Sequence, residues 1–361
     1  MKISRKITLL GLGLAVGIIL GVLISINIIN SGIIYFGESS RTISSFTPTS
    51  VKTYCAWFPW WHETQALSAL RLAKNTLHTI SPVWYRVDSD GYLEPLKVTM
   101  RNEVTDIATV SGIRLAPTIG NDFDNNRIEL VLTNASKSAA IIEQIVDIAK
   151  IHLYDGIDLD WEEILPKNSD LLHQFIKTLA DKLHHQNRFL SVTVHAKTGD
   201  SDWDMAKTYD WSELSKYADE IRIMAYDFHT ELSPPGPITP LDALKSVINY
   251  AQKTIPPEKI TIGLPNYGYD WSDTNNLSVS FTDAEVRMDH YNGIWIRDPQ
   301  SYELIGTYEN NDINHTIYLV DNVSLREKID ISHKSGINSI CLWRLGEEDP
   351  EIWSINNELP K

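Results

Sequence analysis

The chain has 361 residues, 43% of them hydrophobic, enough for one large domain or two small ones around a substantial core. A formal net charge of −15 offers no basic stripe to neutralise phosphates, which excludes nucleic acid as a partner and favours a neutral or weakly charged substrate. Two cysteines, Cys55 and Cys341, exclude a disulfide-dense scaffold and a cysteine-based zinc finger, and the eleven histidines show no metal-ligand spacing.

Residues 1–6 form a basic tail with Lys2, Arg5 and Lys6, followed by a nearly uniform apolar run from Ile7 to Ile29. Crossing a bilayer takes about 20 apolar residues, whereas a cleavable signal has an apolar core of about 7–15 and a small-residue cleavage site. The run is therefore read as an uncleaved transmembrane anchor rather than a cleaved signal or a buried amphipathic helix. By the positive-inside rule the basic flank stays in the cytoplasm and the rest of the chain lies outside. Residues 30–50, polar and turn-rich with Pro48, are read as a linker, and residues 51–361 as the folded domain.

Short β-rich runs then recur at Thr53–Phe58, Thr79–Tyr85, Ile113–Ile119, Gly156–Trp161, Phe189–His195, Glu220–Tyr226, Lys259–Leu264 and Ser339–Trp343. Helical stripes lie between most of them: Leu172, Phe175, Ile176, Leu179 and Leu183 form one, and Leu244, Val247, Ile248 and Ala251 another. Eight strands alternating with helices over about 300 residues is the pattern of an α/β fold, the (β/α)8 TIM barrel. The competing doubly wound sheet would need a Gly-rich nucleotide turn, and nothing resembles one. Residues of about 270–320 break the rhythm with Trp271, Phe281, Trp295 and β-like runs such as Thr316–Val320. They are read as a small α+β insertion between the seventh strand and the last helix, walling one side of the site.

The fourth run carries the chemistry. Asp158, Asp160 and Glu162 alternate with Ile157, Leu159 and Trp161, so a strand points three carboxylates to one face and three apolar side chains to the other. Neighbouring carboxylates repel and raise at least one pKa, a cost that proton chemistry explains and packing does not. A solvated acidic edge would not be interleaved with large apolar residues. A calcium loop would need a glycine at its sixth position, and a magnesium site would be accompanied by a phosphate-cradling Gly-rich loop. Barrel active sites gather at the C-terminal ends of strands, where Glu162 closes the fourth run. There the first run brings Trp57, Trp60 and Trp61, the second Trp84 and Tyr85, the sixth Met224, Tyr226 and Asp227, the seventh Tyr267 and the eighth Trp343. Flat rings beside a carboxylate row suit a saccharide cleft.

With Asp155, Gly156, Asp158, Asp160 and Glu162 in the form D-G-x-D-x-D-x-E, Met224, Tyr226 and Asp227 in the form M-x-Y-D, and Trp343 ending the eighth run, the chain resembles the family 18 glycoside hydrolases, the chitinase family. The resemblance covers nearly all of Lys52 to Trp353. Pro235 to Pro240 and Gly263 to Trp271 look like the bacterial spore-cortex and cell-wall branch. Two segments depart from the common pattern: Trp161-Glu162-Glu163-Ile164 replaces W-E-Y-P, and Gly120-Asn121 replaces Gly-Gly. These departures are expected to affect the outer subsites and not the catalytic group.

The resemblance implies substrate-assisted, retaining hydrolysis, an exception to the two-carboxylate rule. Glu162 would protonate the glycosidic oxygen while the substrate's own 2-acetamido oxygen attacks the anomeric carbon. Asp160 would hold the acetamido N–H, Asp158 would share a proton with Asp160, and Tyr226 would hydrogen-bond the acetamido oxygen. Trp57, Trp61, Met224, Asp227, Tyr267 and Trp343 would bind substrate, with Trp343 flooring the subsite. No metal or organic cofactor is needed. The substrate would be a polysaccharide of 2-acetamido sugars: chitin oligomers, peptidoglycan, other poly-N-acetylglucosamine polymers or N-glycan cores, with an envelope glycan favoured by the anchor. The alternative, a catalytically inactive sugar-binding relative, would ordinarily lack the glutamate that is present here.

Cys55 lies two residues before Trp57, and Cys341 two before Trp343, so both sulfurs are expected inside the barrel and near each other. A disulfide is open to them outside the cytoplasm, but strand-pair geometry often disfavours one, and two buried thiols are the expectation.

Overall fold

The computed structural model describes residues 52–199 and 204–354. The expected basic tail, the expected anchor over residues 7–29 and the expected linker lie outside them; among the described residues, no helix is long and apolar enough to cross a membrane. The strands are β1 (Thr53–Phe58), β2 (Thr79–Val87), β3 (Leu93–Pro95), β4 (Arg114–Leu115), β5 (Thr118–Gly120), β6 (Gly156–Asp160), β7 (Phe189–His195), β8 (Glu220–Met224), β9 (Ile260–Pro265), β10 (Gly268–Ser272), β11 (Leu277–Val279), β12 (Ile294–Arg297), β13 (Leu304–Asn310), β14 (Ile313–Leu319) and β15 (Ser339–Trp343).

Eight parallel positions close into a barrel in the order β1, β2, β5, β6, β7, β8, β9, β15 and back to β1. The third position is split. The Ile113–Ile119 run divides into β4 and β5 at Ala116-Pro117, where proline lacks the N–H a ladder needs and β2 shifts register between Val83 and Tyr85. The fourth run ends at Asp160, one residue short of its expected end, and the sixth at Met224, two residues short, so Glu162 and Tyr226 stand on loops at the barrel mouth. At Gly156 a side chain would be impossible, since a Cβ there would lie 2.6 Å from the Phe189 carbonyl oxygen of β7.

Outside the barrel the helices pack as their stripes require. Leu172, Phe175, Ile176, Leu179 and Leu183 are buried on helix Ser169–His184, and Leu244, Val247, Ile248 and Ala251 on helix Leu241–Thr254. The apolar partners of the acidic row face this layer, and the Trp161 ring lies 4.6 Å from Phe175. Bulky branched residues commonly fill such barrels. This interior instead holds Ser81, Thr118, Asp158, Ser191, Thr193 and Arg222, each at most 1% exposed.

The stretch after β9 folds as a five-stranded antiparallel sheet in the order β11, β10, β14, β13, β12, and Ala284 and Met288 of helix Phe281–His290 share a buried core with Val279, Tyr308, Ile317 and Leu319 of the sheet. Cys55 and Cys341 form a disulfide, contrary to the expectation of two thiols. β1 and β15 are direct neighbours whose register sets these two residues opposite each other, with Cα atoms 4.3 Å apart. The bond lies inside the barrel against Trp57.

Candidate active site

Asp158 sits deepest in the row and is fully buried. Trp57 Nε1 (2.9 Å) and Thr118 Oγ1 (2.8 Å) donate to its Oδ2, and Ser191 Oγ (2.7 Å) and Thr193 Oγ1 (3.2 Å) to its Oδ1. Arg222 Nη1 lies 3.3 Å from the same Oδ1. Both oxygens are thus engaged by donors.

Asp160, one step up the same face, has the opposite environment. Burial, then the charge of Asp158, pushes its carboxyl up to about 8, against the pull of Arg222. Its Oδ1 is buried with no hydrogen-bond partner among the described residues. At the mouth, Glu162 is 16% exposed in its side chain and held well above the ordinary carboxylate range, by burial first and then by Asp160, Glu163 and Asp227. His195 Nε2 is 3.7 Å from Glu162 Oε2, but burial lowers this imidazole to about 4, so near neutral pH it brings no charge that would ionise the acid. The row therefore runs from a carboxyl ringed by donors to two buried carboxyls held above the ordinary range, over three alternate residues.

Glu162 lies beyond the end of β6, where no strand ladder holds it. The Asn121 side chain takes over. Its Oδ1 accepts from the Glu162 N–H at 2.9 Å and its Nδ2 donates to the Glu162 carbonyl at 2.8 Å. The pairing of β5 with β6 ends at Gly120 opposite Asp160, and the chain then turns away through Asp122 and Phe123, both at positive φ. Asn121 thus extends the ladder one step by its side chain. The Gly120-Asn121 departure, expected to concern outer subsites, bears on the catalytic group itself.

The row opens into a cleft of about 340 Å³ lined by Asp160, Glu162, Met224, Tyr226, Asp227, Trp60, Trp61 and Trp343, together with Tyr85, Arg86, Asn121 and Phe123. Burial and the nearby carboxylates hold the Tyr226 phenol far above its usual value, so it stays a proton donor. Trp61 is 41% exposed, with its ring 6.3 Å from Trp343 and the Arg344 guanidinium 4.7 Å from its centroid.

Three residues expected on the cleft are elsewhere. Trp57 is fully buried beneath it and serves Asp158, because its indole packs edge-on under Trp343 at 5.7 Å. Tyr267 is buried behind the wall, where its hydroxyl donates to Asp227 Oδ1 together with that of Tyr269 (2.9 Å). Trp84 also faces away from the cleft, under Arg101. Asn121 and Arg222 escape a reading by motif. The only sequence signal for the first is its departure from Gly-Gly, and for the second a charge midway along an apolar strand.

Residues 53–348 match the family model described as Glycosyl hydrolases family 18. The uncharacterized glycosylase YvbX of Bacillus subtilis is 25% identical over 240 residues, 64% of this chain and 69% of that protein. The cortical fragment-lytic enzyme of Bacillus anthracis is 23% identical over 304 residues, 80% of this chain and 69% of that enzyme. A chitinase from Chromobacterium violaceum has the same fold, with a TM-score of 0.78 at 21% identity over 86% of this chain and 100% of that one.

Proposed function

The chain belongs to glycosyl hydrolase family 18 and is a glycosidase, and we propose that it cleaves β-linked N-acetylglucosamine-containing glycans with retention, by substrate-assisted catalysis. The observation that carries this reading is the graded environment of the acidic row, with Asp158 ringed by donors below and the buried carboxyls of Asp160 and Glu162 raised above the ordinary range at the cleft. A general acid must hold its proton near the working pH, and the upward displacement of the Glu162 carboxyl at the cleft supports that role. It protonates the glycosidic oxygen as the 2-acetamido oxygen attacks the anomeric carbon. The product of that step is an oxazolinium ion, and Glu162, now ionised, draws a proton from the water that opens it. The unpartnered Asp160 Oδ1 is the acceptor for the acetamido N–H, and the Tyr226 hydroxyl is the donor to the acetamido oxygen. Trp343 and Trp61 supply stacking surfaces.

A cell-envelope glycan is the substrate that fits an anchor over residues 7–29 with the barrel outside, and the likeness to a cortical fragment-lytic enzyme supports the same choice. The test is hydrolysis of a fluorogenic N-acetylglucosamine oligomer series, followed by purified peptidoglycan, with the wild type and Glu162→Gln. Activity lost by at least about 10²–10⁴-fold in the variant is the expected result. Equal sugar binding with no hydrolysis by either protein would replace the enzyme with a sugar-binding relative.

A further inference from the structure

Beneath the acidic row lies a second charged layer that the reaction described above does not use. Glu220 and Arg222 alternate with Ile221 and Ile223 along β8 and point into the barrel. Arg222 is fully buried; it donates from Nη1 to Ser81 Oγ at 2.7 Å and from Nε to Glu220 Oε2 at 3.1 Å. The same Nη1 is 3.3 Å from Asp158 Oδ1, and the guanidinium lies 5.8 Å from the Trp57 ring centroid. Arg114 Nη2 reaches Glu220 from the other side at 3.2 Å. A buried cation is costly, and an apolar side chain would fill this space at less expense, so packing does not account for an arginine here. The layer is electrically balanced, with Asp158 and Glu220 set against Arg222 and Arg114.

We infer that Arg222 is a positioning residue for the reaction, the internal counter-cation that keeps Asp158 ionised so that the protons of the row reside above it, on Asp160 and Glu162. The inference rests on the glycosidase reading of the row. Asp158 is faced by Trp57 from β1, Thr118 from β5, Ser191 and Thr193 from β7 and Arg222 from β8. The upper carboxylates are faced by Glu163, His195, Tyr209, Tyr226 and Asp227. Among these described residues Arg222 alone is cationic near neutral pH, because burial keeps His195 neutral. Without the guanidinium, Asp158 would take up a proton and share it with Asp160, as two like charges in a dry site must.

The test uses Arg222→Met and Glu220→Gln in the full chain, compared with the wild type by the pH profile of kcat/KM and by ¹³C NMR titration of the aspartate carboxyls without substrate. Losing the cation raises the carboxyl pKa values, so Arg222→Met should move the profile to higher pH by about one unit or more. Losing the competing anion frees Arg222 to act on Asp158, so Glu220→Gln should move it to lower pH. A purely structural arginine would lower the melting temperature in its variant without opposite displacements. Unshifted carboxyl titrations in a cooperatively folded Arg222→Met protein would overturn the inference. If that variant does not fold, an unshifted or upward profile in Glu220→Gln does so instead. The NMR titration needs no turnover, so a wild type inactive on sugars would defeat the glycosidase reading while leaving the charge assignment measurable.

Discussion

At the scale of single residues, three acids of one face differ because their partners differ. Asp158 has four donors and a guanidinium, Asp160 has burial and an anion below it, and Glu162 has burial at the rim. The residue that fixes the last of these in place is Asn121, which replaces a strand partner on both sides of the Glu162 backbone. Replacing it by alanine leaves the carboxyl chemistry intact and loosens its aim. Steady-state kinetics of Asn121→Ala should show kcat down by about 10–100-fold with KM little changed, since a small misplacement of a reacting group is expensive. An unchanged kcat would remove Asn121 from the machinery. The row itself was legible because a period of two puts its members on one face whatever the tertiary fold. Asn121 was not, because its role depends on where a neighbouring strand ends. Trp57 was misassigned to the cleft for a related reason: an inward direction does not say how deep an indole lies.

At the scale of elements, the strands that matched their sequence runs, such as β1, β7 and β15, are those whose apolar stretch ends at a turn. Pro117 and the shifted register of β2 split the third position, and no count of β-formers reveals such a break. The lobe built by β10 to β14 was visible as an interruption, but its antiparallel order depends on contacts distant in sequence. Among the contacts that join it to the barrel is a buried pair. Glu303, just before β13, accepts from the backbone N–H groups of Ile238 (2.8 Å) and Thr239 (2.9 Å), and Lys328 Nζ lies 3.2 Å from its Oε1, both side chains fully buried. Glu303 thereby holds the loop after β8, which carries Tyr226 and Asp227, against the lobe. Removing one member of a buried pair strands the other. Glu303→Ala should therefore cost about 3–5 kcal/mol in chemical denaturation, far more than a surface carboxylate. A loss within the range of surface substitutions would show that the lobe docks by other means.

At the scale of the whole molecule, the barrel places a layer of paired side chains, Asp158, Glu220 and Arg222, under the buried carboxyls of Asp160 and Glu162, and a cleft rimmed by Trp60, Trp61 and Trp343 above both. Eight strands in alternation with helices made the fold class legible. The polar interior did not show, because a strand buried on both faces and one with a polar inner face differ by only a few residues. The disulfide between Cys55 and Cys341 ties the first barrel strand to the last, a pairing decided by register rather than by spacing. The central claim is that hydrolysis proceeds through the substrate's own acetamido group on this arrangement of protons. The most direct measurement is the anomeric form of the first product, followed by ¹H NMR during cleavage of an N-acetylglucosamine oligomer, beside an oligomer lacking the acetyl groups. The account predicts the β-anomer first, relaxing later to the equilibrium mixture, and no cleavage of the deacetylated oligomer. An α-anomer appearing first, or comparable cleavage of both oligomers, would contradict it.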